Sequence, residues 1–287
     1  MTRTIHVAHS PDSDDAFMFY ALAEGKIDTG QLRYVHELSD IESLNQRARR
    51  AELEVTAVSI HAYAYLWRDY ALLGSGSSMG DGYGPRLVAR QQPPEADVDG
   101  ALAGRLVAIP GERTTAALAL RLFQPDIETV VVAFDRIEDY VLQGRADAGL
   151  LIHEGQLTYA DRGLILWRDL GEWWAQETGL PLPLGGNVVR KDLGAELVGA
   201  VSRDLRASIE WGLAHRAETL AHAQQYARDL DPTRTDRFVG MYVNDYTRDF
   251  GEEGRAAVHA LLNRAHTAGV IPTLPRLDFV GGEVAGW

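Results

Sequence analysis

Apolar positions along the chain fall into short continuous runs separated by helically spaced segments. Residues 4–10 (TIHVAHS) read as a buried strand. Residues 14–24 read as a helix, with Ser13 placed to cap its start and Gly25 just past its end. Residues 32–38 are strand-like, 41–52 helical, and 55–60 (VTAVSI) an apolar strand. This alternation predicts βαβ units and a mainly parallel sheet. Glycine density over 74–85 (GSGSSMGDGYGP) predicts a loop, 87–90 a short strand, and 91–100 (QQPPEADVDG) a linker or exposed turn.

A second α/β run repeats the logic of the first without its sequence. Residues 105–110 (RLVAIP), 129–134 (TVVVAF) and 148–152 read as strands. Residues 114–123 and 136–143 read as helices, the latter closed by Gly144. Residues 186–190 (GNVVR) form one more strand, and 196–230 and 251–269 are strongly helical. The predicted architecture is α/β with two lobes. Residues 1–92 and 188–287 form lobe one, residues 93–187 are inserted as lobe two, and a ligand cleft lies between them.

Composition narrows the function. With 46% apolar and 24% charged residues, the 287-residue chain is globular and not disordered. A net charge of −13 opposes nucleic-acid backbones, so no nucleic-acid partner is expected. A small anionic ligand needs local positive potential, which helix N-termini or a few arginines supply. The absence of cysteine removes thiol catalysis, disulfides and thiolate metal sites. Asp12, Asp14 and Asp15 interrupt the opening stretch before a secretory signal could form, and no apolar run approaches the roughly eighteen residues of a membrane span. A cytoplasmic location without membrane insertion is expected. Nothing in the sequence sets the oligomeric state.

Candidate chemistry collects at predicted strand ends, where ligands of open α/β sheets bind. His153 follows the strand AGLLI and suits proton transfer near neutral pH; the alternative is a histidine that merely caps the strand. Thr114 and Thr115 open a helix whose free N–H groups and two hydroxyls would suit a carboxylate or phosphate, or form an ordinary cap. Ser59 ends the strand VTAVS. Four other signals fail. Ser78 sits in a G-x-S-x-G match that lacks the strand and helix of a nucleophile elbow. Leu157 stands where H-E-x-x-H needs its second histidine. His6 and His9 face opposite sides of a strand, and the aspartates of SPDSDDAF lack further partners, so no metal site is expected. No glycine-rich nucleotide motif appears.

Several runs occur together in one family. The chain resembles the 1,4-dihydroxy-6-naphthoate synthases of menaquinone biosynthesis through futalosine. The resemblance rests on SPDSDDAFMFYAL, IESLN, the VS of Val58–Ser59, GERTTAAL, GLLIHEG, DLGEWWAQETGLPLPLG, and YVND followed by GEEG, in the family's order from Ser10 to Gly254. Ser10, Pro11, Asp15 and Phe17 fit the family's usual SPCPNDTF, while Asp14 and Ala16 depart from it. The resemblance implies a type II periplasmic-binding-protein-like fold. It also implies cleavage of cyclic dehypoxanthinyl futalosine to 1,4-dihydroxy-6-naphthoate and dihydroxyacetone without a cofactor. His153 would be the catalytic base. Ala57, Val58, Ser59, Thr114 and Thr115 would contact substrate, with Asn45 and Tyr159 also in the cleft. The rival readings are a solute-binding protein of the same fold and a chorismate dehydratase of the same pathway.

Overall fold

The computed structural model describes residues 2–93, 102–228 and 230–281, so most of the expected 91–100 linker lies outside the described residues. Among the described residues twelve strands form two sheets. In the first, β1 (Arg3–His9) pairs in parallel with β2 (Leu32–Leu38) and β3 (Val55–Ser59). β11 (Leu182–Arg190) runs antiparallel to β3 and to β4 (Tyr70–Leu73), and also to the short β5 (Ser78–Gly80). β12 (Phe279–Val280) closes the edge beside β4. The second sheet has the order β10 (Ile165–Asp169), β6 (Arg86–Ala89), β9 (Ala148–Leu151), β7 (Leu106–Ile109), β8 (Glu128–Val131).

Four expectations need correction. The sheets are mixed, not mainly parallel, because β6 and β11 run against their neighbours as the chain enters and leaves the second lobe. The division of the chain also differs from breaks at 92/93 and 187/188. β6 already belongs to the second sheet, and the whole of β11 belongs to the first. The crossings therefore precede Arg86 and follow Asp169. Three-residue β5 also interrupts the expected 74–85 loop, and the expected 196–230 helix breaks at His215 into Ala195–Ala214 and Arg216–Ala223.

Helices buried against the sheets build the core. The helix Ser13–Ala23 buries Phe17, Met18 and Phe19 beneath the first sheet, where Leu205 and Ile209 of the helix Ala195–Ala214 join them. A larger core runs through both lobes and includes Tyr63, Leu72, Val107, Leu118, Trp174 and Leu261. Trp174 is fully buried and its indole N–H donates to Pro181 O at 3.1 Å, which satisfies its one polar atom. This continuous apolar layer fixes one side of the interlobe region and leaves the other for a cavity.

The two crossings lie against each other. Leu170 N donates to Pro85 O at 2.9 Å. A Cβ on Gly171 would lie 1.9 Å from the Tyr83 carbonyl, and one on Gly84 would lie 2.7 Å from Gly171 N. Backbone meets backbone here, so only glycine fits. The Gly171→Ala protein is expected to lose about 3 kcal/mol or more of unfolding free energy, at the upper end for overpacking, as measured by urea denaturation.

Candidate active site

A cavity opens where the two sheets present their strand ends. β1 leads into the turn Ser10–Asp12 and β3 ends at Ser59, both from the first lobe. β7 leads to Thr114 and β9 to His153, both from the second. Ala57, Val58, Ser59, Thr114, Thr115 and His153 all line the cavity. Asn45 lies one layer behind. Its amide accepts from Ser59 N at 3.0 Å and donates to Ser59 Oγ at 3.2 Å. Ser59 Oγ is thereby an acceptor from within, and its own proton is free to point elsewhere. Tyr159 does not line the cavity; it packs in the second lobe, with the Arg86 guanidinium 5.7 Å from its ring centroid.

Of the two readings open for these threonines, Thr114 takes that of an ordinary cap. Thr114 Oγ1 donates to Gly111 O at 2.8 Å and accepts from Ala117 N at 3.2 Å, capping the helix Thr115–Phe123. Thr115 Oγ1 donates to Leu184 O at 2.6 Å and accepts from His61 N at 3.2 Å, tying this helix to the other lobe. Both hydroxyls are committed within the protein. What the helix start offers the cavity is its first backbone N–H groups, at Thr115 and Ala116, together with the positive end of the helix dipole.

His153 is held in an unusual state. Its φ of +70° lies in the left-handed region, which costs a non-glycine residue about 1–3 kcal/mol. Phe134 packs on the ring at 4.3 Å between centroids. Nδ1 lies 2.6 Å from Oδ2 of Asp12, which comes from the opposite lobe. Nε2 is buried and has no hydrogen-bond partner among the described residues. Burial opposes a charged ring, but the negative charge and hydrogen bond of Asp12, helped by Glu154 and Asp14, outweigh it, so the His153 pKa rises above its ordinary 6.5.

The same turn gathers carboxyls. Burial would raise Asp12, but His153, Ser10 and Arg228, whose guanidinium lies 3.8 Å from Oδ1, bring it below the ordinary range. Burial, with Asp15, Asp12 and Glu154 nearby, pushes Asp14 well above it. Burial pushes Asp15 to about 6 and also raises Glu154, next to Asp12. Asp12, His153 and Glu154 place ligand-type atoms within 4.8 Å of one another, the one such trio among the described residues. Two ligands about 2.1 Å from one zinc ion at a tetrahedral angle would stand about 3.4 Å apart. The 2.6 Å contact is therefore an ion-paired hydrogen bond, not a ligand pair.

Sequence reasoning missed three members of this site. Asp12 is an acidic residue at a helix start, which the helix dipole alone explains; it occupies the N-cap position, yet its side chain makes no capping bond. Tyr242, whose hydroxyl donates to Gln156 Oε1 at 2.8 Å across the cleft, shares a helical stripe with Phe238 and Val239 that reads as core. Asn187 lines the cavity from β11, with its Nδ2 bonded to Gly76 O at 2.9 Å. In an apolar strand, a polar residue of this kind was the available signal.

Comparison with known proteins places this geometry. A family model described as menaquinone biosynthesis matches residues 5–267. The chain belongs to that family. It is 40% identical over 276 residues to the 1,4-dihydroxy-6-naphthoate synthase of Thermus thermophilus, covering 96% of this chain and 99% of the relative. It is 39% identical over 277 residues to that of Streptomyces coelicolor, covering 94% and 96%. These homologues are enzymes. A crystal structure from Archaeoglobus fulgidus superposes with a TM-score of 0.88 at 47% identity, covering 93% of this chain and 98% of that one. The alkanesulfonate-binding protein of Xanthomonas axonopodis pv. citri superposes at 0.71 with 12% identity, covering 96% and 97%, which establishes the binding-protein-like fold alone. Among the described residues no helix is long and apolar enough to cross a membrane.

The committed hydroxyls generate a test. Thr115→Val keeps the side-chain shape but leaves Leu184 O and His61 N unpaired. The expected outcome is a loss of about 1–3 kcal/mol in denaturant unfolding, with ligand affinity changed less than about tenfold because the backbone N–H groups remain.

Proposed function

We propose that this chain is a 1,4-dihydroxy-6-naphthoate synthase, a carbon–carbon lyase that works without a cofactor. It splits cyclic dehypoxanthinyl futalosine into 1,4-dihydroxy-6-naphthoate and dihydroxyacetone. The observation that carries this reading is His153: a ring in the cavity wall with one nitrogen tied to a carboxylate and the other without a partner among the described residues. Family membership supplies the class of chemistry.

Nε2 removes a proton from substrate carbon beside an electron-withdrawing group. The electron pair left behind enters the ring, which becomes aromatic as the adjacent C–C bond breaks. The bond's own pair departs with the dihydroxyacetone fragment, which then gains a proton. Aromatisation supplies much of the driving force, so the protein's task is to position the substrate, provide a base and exclude water. The N-terminus of the helix Thr115–Phe123 anchors the substrate's anionic group through backbone N–H. Ser59, held by Asn45, orients the substrate from the first lobe, with the Ala57–Val58 backbone beside it.

The purified protein is expected to release the naphthoate from cyclic dehypoxanthinyl futalosine, as read by mass spectrometry. His153→Ala should lower turnover about 10²–10⁴-fold. Because the base must be neutral and its pKa is raised, kcat/KM should climb with pH through an acid limb centred above 6.5. Binding of the compound without product would replace this reading with that of a solute-binding protein, and consumption of chorismate instead would make the chain a dehydratase.

A further inference from the structure

Asp12 has no part in the reaction as written, yet it is the most constrained side chain near the base. It is 1% exposed and stands at a helix start, where its carboxylate could cap free N–H groups but does not. Oδ2 is instead 2.6 Å from His153 Nδ1 and 2.7 Å from Ser10 Oγ. The Ser10 hydroxyl is also 2.8 Å from Asp15 Oδ2, an oxygen that accepts from Ser10 N at 2.7 Å.

We propose that Asp12 is a positioning residue which, carried on one lobe, fixes the tautomer and basicity of His153 on the other, and so completes the base only when the lobes meet. This rests on His153 acting as the base. A neutral imidazole has one N–H. With that hydrogen on Nδ1 and donated to Asp12, the lone pair belongs to Nε2. After proton transfer the imidazolium lies against a fixed carboxylate. Ser10 and Asp15 hold Asp12 in this role. The Ser10 hydroxyl lies between the two carboxylates and shares its hydrogen between Asp12 Oδ2 and Asp15 Oδ2, while Ser10 N donates to Asp15. Asp12 Oδ2 also accepts from the ring, and the ring, Ser10 and Arg228 together keep Asp12 the anion.

The other charged groups near the ring are Asp14 and Asp15 from the same turn, Glu154 from the loop of His153 itself, and Arg228 from the helical C-terminal part of the chain. The test leaves all of them in place. The ring nitrogens of His153 are followed by ¹⁵N NMR across pH in the wild type, Asp12→Asn and Asp12→Glu, with His153→Ala to assign the signals. In the wild type the neutral ring should carry its hydrogen on Nδ1. In Asp12→Asn, which keeps the shape and the acceptor but not the charge, the titration midpoint should fall by about one pH unit or more. In that variant kcat should drop about 10–100-fold with KM within about threefold, and the acid limb should move down with the midpoint. Asp12→Glu should restore part of the midpoint. Thermal melts of each variant exclude simple unfolding. A midpoint and tautomer in Asp12→Asn equal to those of the wild type would overturn the proposal. If the wild type fails to turn over cyclic dehypoxanthinyl futalosine, the proposed function falls, while the substrate-free titration still decides the role of Asp12.

Discussion

One contact between lobes organises the site: the 2.6 Å pair of Asp12 and His153. Its partners come from different sheets, Asp12 after β1 and His153 after β9, so their approach depends on how the whole molecule is assembled. Two local conformations go unrewarded without it. The helix Ser13–Ala23 begins without a side-chain cap, and His153 sits at a positive φ. Both are tolerated because each places its side chain across the cleft. The shared apolar core and the glycine-to-glycine packing of the crossings hold the lobes close enough for the pair to form.

The electrostatics of the cleft follow from an apparent conflict. An acidic protein proposed to admit an anion crowds four carboxyls beside the His153 ring. Burial resolves part of this, because Asp14, Asp15 and Glu154 are all shifted towards holding protons while Asp12 alone is shifted the other way. The local charge is therefore smaller than the residue count implies. The positive end of the helix Thr115–Phe123 faces the cavity at Thr114–Ala116.

Much of this was legible in the chain itself, for physical reasons. Alternating apolar runs identified β1, β3, β7 and β9, and with them the strand ends that carry Ser59, Thr114 and His153. What periodicity could not carry was pairing direction and sheet membership. β6 read as a strand of the wrong lobe and the expected boundary cut through β11, because an apolar run does not record which neighbour it meets. Hydroxyl direction was likewise invisible: Thr114 and Thr115 lie at the cavity, but their side chains turn back into the protein. Asp12 was hidden by a sufficient local explanation, since acidic residues at a helix start need no further cause.

The committed threonine hydroxyls have a consequence for how such a site changes over evolutionary time. A ligand held by side chains is exposed to every substitution at those positions. A ligand held by main-chain N–H at a helix start is not, because every residue except proline presents the same donor. Drift at Thr115 would register first as weaker folding and only later as altered recognition. Under the proposed anchoring, the scaffold keeps its preference for anions while residues around the cleft are exchanged, and a shared fold accommodates different anionic ligands without redesigning the anchor.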